Sequence, residues 1–303
     1  MTIRNMLAAV ALAMTASLDT LAQEVQYPDY YALRDTIGNR MMAFYMQHQD
    51  MDMGLSGFKI DAEMGDKATL DGLRLPPMRK KKLAPNAVYP LCKPSTLIIC
   101  QADYRPATDD FYLDIFASAV AITEDGACLT NYHVFEDMLK PRTAETPERH
   151  FIRFAADADG NIYPVKSVVM TDSLNDFSIF TVDTRRRKLS PMPLGIPAIE
   201  GEDAYCLSHP KANFYYLTRG IVARNQSFRD PRTGLSKLEM QITADYAVCS
   251  SGGPIIDSRG NLIGIVGSTT SLYADPNKVK NFQMSIKKAV PIKAILKALH
   301  NKK

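Results

Sequence analysis

Three short segments of this chain hold residue types that, brought together, would make an activated nucleophile. In AITEDGACLTNYHVFED, His133 follows a run of strand-forming residues; in LNDFSIFTVD, Asp176 immediately precedes such a run; in ADYAVCSSGGPIIDSRGNLIGIV, Ser251 stands before Gly252, Gly253 and Pro254. A serine hydroxyl is a weak nucleophile at neutral pH. It becomes a strong one when a histidine takes its proton, and a carboxylate must fix that histidine's tautomer and balance its charge. The chemistry these residues could do is acyl transfer. The glycines after Ser251 let backbone pass close to a ligand, and the proline suits the start of a new strand. Each segment alone has a bland use, since a histidine before a strand end is more often structural. The combination is what specifies chemistry.

Such residues need a frame. From about Val88 onward the chain offers roughly a dozen short runs rich in Val, Ile, Phe, Tyr and Thr: TLIICQ, FASAVAIT, CLTN, HFIRF, PVKSVVM, FSIFTV, AYCLS, LTRGIVAR, KLEMQIT, GPIID, LIGIVGS and FQMSI. Their spacing predicts an all-β architecture with no room for the long helices of a parallel sheet. Glu124-Asp125-Gly126, Asp159-Gly160-Asn161 and Ser258-Arg259-Gly260-Asn261 give the tight turns that hairpins require. Lys188 to Gly201 gathers Pro191, Pro193, Gly195 and Pro197, which resist strand pairing and mark a linker between two halves.

Helical spacing appears only at the ends. Leu33, Ile37, Met41, Phe44 and Tyr45 predict a helix from Tyr30 to about Met53, and Ile292, Ile295, Leu296 and Leu299 predict a short docking helix beginning near Val290 and Pro291. Between Gly54 and Pro85 the pattern dissolves into glycine, proline and charge, as in a loop or linker. Residues 1–22 carry Arg4, an apolar stretch from Met6 to Ala16, and small residues where a signal peptidase reads. Export to a periplasm or the exterior is therefore expected, with no membrane span left after removal.

Composition narrows the function. The formal charge of the 303-residue chain is only +3, too weak a field to demand nucleic acid or an anionic membrane as partner. The basic runs Arg79–Lys82 and Arg185–Lys188 read as solvated loops. Five cysteines (Cys92, Cys100, Cys128, Cys206, Cys249) form no zinc-ligand spacing, and His48, His150, His209 and His300 gain no metal partner, so neither metal nor cofactor is expected. In an oxidising compartment one or two disulfides could form, Cys92 and Cys100 being nearest in sequence, with at least one thiol left over.

With these motifs in hand the chain resembles the Deg/HtrA branch of trypsin-like serine proteases. TNYHV is similar to the segment around that family's catalytic histidine, NDFSIF to its aspartate strand, and CSSGGPIIDSRGNLIGI to its nucleophile motif and following hairpin. GEDAYCLSHPKANFYYLTRGIVAR and QMSIKKAVPIKAIL are similar to the first strands of its second barrel and to its closing strand and helix. The resemblance runs from about Val88 to Leu299. It implies two six-stranded antiparallel β-barrels with a short C-terminal helix and an N-terminal helical extension: residues 23–87 the extension and linker, 88–190 the first barrel, 191–303 the second. By it, His133 is general base, Asp176 the orienting acid and Ser251 the nucleophile. The N–H groups of Cys249 and Ser251 would form the oxyanion hole, and Gly267, Ser268 and Thr269 would offer backbone to a polypeptide substrate. No PDZ domain is expected to follow.

The departures are specific. Cys249 stands where the family has glycine, and Ser250 where it has asparagine or an activating aspartate, so zymogen activation through that ion pair is not expected. Phe116-Ala117-Ser118-Ala119 replaces a glycine-rich segment. Asp245 is expected to lie off the specificity pocket, and Tyr246, Ala247 and Val248 to line the approach to Ser251, favouring a small or medium apolar side chain at the cleaved position. The alternative is a protease-fold protein that only binds or scaffolds, its oxyanion hole spoiled at Cys249. A cysteine-protease reading of Cys249 is disfavoured because the Ser-Gly-Gly-Pro register puts the nucleophile two residues later.

Overall fold

In the computed structural model of the protein, residues 25–48, 72–105, 110–136, 151–229, 234–275 and 279–300 are described, with the single residues 108, 231 and 277. The expected leader, most of the linker and His150 lie outside them. Two closed antiparallel barrels of six strands each form the body. The first comprises β1 (Thr96–Arg105), β2 (Asp110–Ala121), β3 (Ala127–Thr130), β4 (Phe151–Ala156), β5 (Ile162–Asp172) and β6 (Phe177–Val182). The second comprises β7 (Asp203–Ser208), β8 (Tyr216–Arg229), β9 (Ser236–Ile242), β10 (Pro254–Ile256), β11 (Leu262–Asp275) and β12 (Lys280–Pro291). Each apolar run named above overlaps one of these strands in its described residues.

Register explains why the candidate residues can meet. β3 pairs with β6 so that Thr130 lies opposite Ser178. The chain therefore leaves β3 into His133 beside the point where Asp176 enters β6. Below them the first barrel is filled by buried side chains such as Leu97, Ile99, Phe135, Val168 and Phe180, with Phe135 and Phe180 edge to face at 5.1 Å. Burying each such side chain stabilises the fold by about 1.5–3 kcal/mol. The second barrel is filled by Cys206, Val222, Met240, Ile242, Tyr246, Ile255 and Val266.

The proline-rich segment is packed between the barrels. Its Leu189 and Met192 N–H groups donate to Glu124 and Ala121 carbonyls, while Gly195 donates to Leu262 and Leu262 back to Pro193. One stretch thus laces the first barrel to the second, satisfying backbone groups that a loose linker would leave to water.

Three helices flank the strands: α1 (Tyr30–Gln47), α2 (Pro85–Cys92) and α3 (Ile292–His300). On α1, Ile37, Met41 and Phe44 are buried as the helical spacing predicts, and Arg40 donates to the Asp159 carbonyl at 3.0 Å. α3 begins one residue past Pro291, and Val290 and Pro291 belong to β12. α2 was not predicted, since its prolines read as punctuation; Pro85 sits in its first turn, where no N–H is required. The segment before it is docked: Arg79 N–H donates to Asn261 Oδ1 at 2.8 Å and Asn261 Nδ2 returns a bond to Arg79 O at 2.9 Å. Arg79 is therefore structural, while Lys82 reaches Asp203 at 3.8 Å.

No disulfide forms among the five cysteines, so Cys92 and Cys100 are unpaired thiols. Four are buried as small hydrophobes, and burial pushes the Cys92 thiol up to about 11 and the Cys206 thiol up to about 12.

Candidate active site

His133 sits in a single 3₁₀ turn, Tyr132–Val134, that follows β3 without a side-chain cap. What holds it is the aspartate. His133 Nδ1 lies 3.0 and 2.9 Å from Asp176 Oδ1 and Oδ2, and the His133 backbone N–H donates to Asp176 Oδ1 at 3.1 Å. Asp176 has φ 59°, a left-handed conformation that aspartate tolerates better than most residues. It is fixed from both sides. Its carbonyl accepts Asn131 Nδ2 at 2.8 Å, and the preceding Asn175 is tied to Asp172 at 2.9 and 2.8 Å and accepts Leu238 N–H of β9 at 2.9 Å.

On the other face of the imidazole, Nε2 lies 2.9 Å from Ser251 Oγ. The sequence-predicted trio is therefore brought together, with the histidine in hydrogen-bond reach of both partners. His133 is 43% exposed and Asp176 25% exposed at the side chain, so the group opens to solvent on one side.

The loop carrying Ser251 hangs on one buried residue of the first barrel. Ser118 N–H donates to Ser251 O at 2.8 Å, Ser118 Oγ donates to Cys249 O at 3.2 Å and accepts His209 N–H at 3.3 Å, and Ser118 O accepts Thr130 Oγ1 at 2.8 Å. Gly252 follows at φ 78°, and a Cβ there would collide with Thr130 Oγ1 and Ser118 O, so glycine is required twice over. Below, Ser250 N–H donates to Ala247 O at 3.1 Å and Ser250 Oγ accepts Ser208 Oγ at 3.0 Å. Ser118 was seen in the sequence only as a departure from a glycine-rich segment. Its small neighbours Ala117 and Ala119 were the available hint that another backbone comes close.

Cys249 holds φ 73°, the left-handed region that glycine occupies freely and other residues at a cost. The carbonyl of Val248 accepts Lys211 N–H at 2.8 Å. Because a trans peptide points its C=O and N–H in opposite directions, this bond turns the Cys249 N–H away from Lys211. Among the described residues neither that N–H nor the Ser251 N–H donates to a protein acceptor. Both remain available to a ligand. The Cys249 thiol is half-buried, and desolvation raises its pKa against the opposing pull of the Lys211 N–H.

His209, fully buried beside this loop, accepts Tyr215 N–H at Nδ1 over 3.0 Å, which leaves the proton on Nε2. Nε2 lies toward the Leu97 carbonyl without forming a well-shaped hydrogen bond. Phe214 and Tyr215 meet its ring edge-on at 5.9 and 4.7 Å, and desolvation in this apolar surround drives its pKa down to about 3. Among the described residues no cluster of His, Cys, Asp and Glu could hold a metal.

Gly267, Ser268 and Thr269 lie on β11, whose Val266 exchanges hydrogen bonds with the glycines behind Ser251 (Gly252 N–H to Val266 O, 3.2 Å; Val266 N–H to Gly253 O, 2.8 Å). Tyr246 does not line an open approach: it is buried in the second barrel, its hydroxyl 2.9 Å from Ser268 O and 2.7 Å from Lys288 O. Ala247 and Val248 are exposed. Asp245 is paired with Lys287 at 2.7 Å, which holds its carboxyl below the usual range. Lys287 is only 12% exposed and also donates to Tyr246 O.

Residues 117–265 match the model of the trypsin-like peptidase domain. Two Arabidopsis thaliana proteins are similar in sequence: Protease Do-like 1, chloroplastic, 28% identical over 197 residues, and Protease Do-like 5, chloroplastic, 25% identical over 178 residues. Those matches take 60% and 57% of this chain but 39% and 53% of the relatives, so the chain spans about half the length of the curated proteins it matches. The crystal structure of Deg5 superposes with a TM-score of 0.51 at 22% identity, covering 70% of this chain and 90% of that one, which identifies the chymotrypsin-like fold.

Proposed function

Since this chain carries a trypsin-like peptidase domain homologous to the Deg/HtrA proteases, we propose that it is an exported serine endopeptidase working through Ser251, His133 and Asp176. The observation that carries the reading is the 2.9 Å separation of His133 Nε2 from Ser251 Oγ while Nδ1 rests on Asp176. Ser251 Oγ attacks the scissile carbonyl as its proton passes to Nε2. The C–N bond then breaks, Nε2 giving that proton to the departing amine, and an acyl-enzyme remains. Water, deprotonated by the same nitrogen, releases the acid and restores Ser251. Asp176 keeps the Nδ1 proton in place throughout and stabilises the imidazolium. The N–H groups of Cys249 and Ser251 receive the charge that develops on the carbonyl oxygen.

The scaffolding alternative rests on Cys249, and the Lys211 bond to Val248 O argues against it, because a carbonyl held there cannot fill the oxyanion hole. Fluorophosphonate labelling decides between the two. Rapid covalent labelling at Ser251 is expected, and failure to label would favour a protein that only binds.

At the cleaved position the enzyme prefers small or medium apolar side chains, since the Asp245 charge is spent on Lys287 and Tyr246 fills the space beside Ser268. A cleavage profile from a peptide library checks this; dominance of Lys or Arg would overturn it. The N-terminal residues 1–22 support export of the folded part.

Strain at Cys249 makes a second test. Its left-handed backbone costs about 1–2 kcal/mol for a residue with a Cβ. Cys249→Gly should therefore keep or raise the labelling rate and stability, whereas Cys249→Val, adding a second heavy atom on Cβ, should lower both. Loss of activity and stability in the glycine variant would mean that the side chain itself supports the loop.

A further inference from the structure

The turn that follows β6 asks for one kind of residue and carries another. Arg187 N–H donates to Thr184 O at 2.9 Å, closing a tight turn whose central pair, Arg185 and Arg186, both have positive φ, 50° and 67°. A turn of this mirror-image kind is the natural place for Asn-Gly, because a Cβ is strained at both central positions. Asp183 Oδ1 steadies it by accepting Arg185 N–H at 2.9 Å. Nothing in the backbone calls for arginine, so the reason for it lies in the guanidinium groups.

Two guanidinium groups of this turn converge with a third from α1. Arg40, Arg185 and Arg187, together with Phe44, Asn161 and Thr184, line a cleft of about 260 Å³ between that helix and the first barrel. Their positions are fixed from behind. Arg40 Nη1 donates to Asp159 O at 3.0 Å and to Asn161 Oδ1 at 3.3 Å, and the Arg185 guanidinium lies over the Phe44 ring at 4.3 Å. Arg187 lies beside the Tyr163 hydroxyl.

These charges have no acidic counterpart. No carboxylate lines the cleft, and among the described residues none comes within ion-pair distance of the three guanidinium groups. The acids nearby are committed elsewhere: Asp157 Oδ1 accepts the Asp159 and Asn161 N–H groups, and its Oδ2 accepts Asn161 Nδ2 and the Tyr163 hydroxyl. Lys188, next in the basic run, is by contrast paired with Glu124 at 2.7 Å. Like charges on the walls of one cleft repel, and an anion between them turns that repulsion into attraction.

We propose that this cleft binds a phosphate group, held by the forks of Arg40, Arg185 and Arg187. The planar guanidinium matches phosphate oxygens two at a time, and a dianion suits three cations better than a single carboxylate would. Free phosphate and the phosphomonoester of a lipid headgroup share this chemistry. The bound anion links α1 to the first barrel. The cleft lies at the opposite end of the six-residue β6 from Asp176, about 20 Å along the strand, so the inference does not depend on the protease reading.

The test is calorimetric titration of the full chain at low salt with inorganic phosphate, then with glycerol 3-phosphate as the soluble headgroup. Saturable binding of phosphate with a Kd below about 1 mM is expected; binding of both ligands assigns a phosphomonoester, binding of phosphate alone the free ion. Arg187→Gln should weaken the affinity by about tenfold or more. Lys188→Gln removes the same charge outside the cleft and should leave it unchanged. Arg185→Asn together with Arg186→Gly gives the turn the residues it favours. That double variant should melt no lower than the unsubstituted protein without phosphate, yet lose the rise in melting temperature that phosphate confers on the unsubstituted protein. Absence of saturable binding, equal weakening by Lys188→Gln and Arg187→Gln, or a double variant that phosphate still stabilises would overturn the proposal.

Discussion

Replacing Ser251 with alanine is expected to lower peptide turnover by about 10⁶-fold, since no other group takes over a nucleophile held against its base. The fold should hardly notice. Ser251 Oγ makes one side-chain hydrogen bond, to His133 Nε2, worth about 1 kcal/mol, so the melting temperature should move by no more than a few degrees. The backbone bonds from Ser118 to Ser251 O and Cys249 O need neither hydroxyl nor base, and they hold the loop as before. Turnover of an unstructured protein such as casein measures the first quantity and calorimetry the second. Parental activity in the alanine variant would end the nucleophile assignment.

Asp176→Asn should cost about 10⁴ in kcat/KM, the price of a wrong tautomer in enzymes of this chemistry. The local geometry says why. His133 N–H reaches Asp176 Oδ1, and Nδ1 touches both oxygens. An asparagine that keeps its oxygen for the backbone N–H turns its NH₂ toward Nδ1, which must then accept. The imidazole proton moves to Nε2, where it blocks uptake of the serine proton. Neither burial nor the Asn131 bond to the residue 176 carbonyl changes, so the loss should fall on catalysis and not on stability. A loss below tenfold would point to another orienting acid.

The strands were legible because each alternates or runs apolar between turn residues, and these are local signals. The three residues proposed to react were legible because the chemistry requires those types and their motifs resemble a known family. What stayed hidden is long-range. Ser118 and Ser251 are distant in sequence, and no period or propensity reports that one residue's N–H meets the other's carbonyl. The bond from Lys211 to Val248 O, which orients the Cys249 N–H, is hidden for the same reason, as is the pairing of Asp245 with Lys287. α2 was missed because Pro85 and Pro90 read as breakers, although proline fits a first turn. The cysteines looked like disulfide candidates by compartment, yet four of them are core residues.

His209 adds a proton-linkage consequence to the seam that holds the nucleophile loop. In the unfolded chain its imidazole titrates near 6.5; folded, with Phe214, Tyr215 and a backbone carbonyl about it, it stays neutral until about pH 3. Between those values the unfolded state binds a proton that the folded state refuses. Its contribution is therefore fully present above about pH 6.5 and declines as pH falls, by about 1.4 kcal/mol per unit, until the folded ring also charges. Melting temperature should fall with acid across that window, and a neutral replacement, His209→Phe, should flatten this part of the curve. The ring whose charging costs this stability stands at the seam between the barrels, where the His209 backbone N–H donates to the same Ser118 Oγ that donates to Cys249 O.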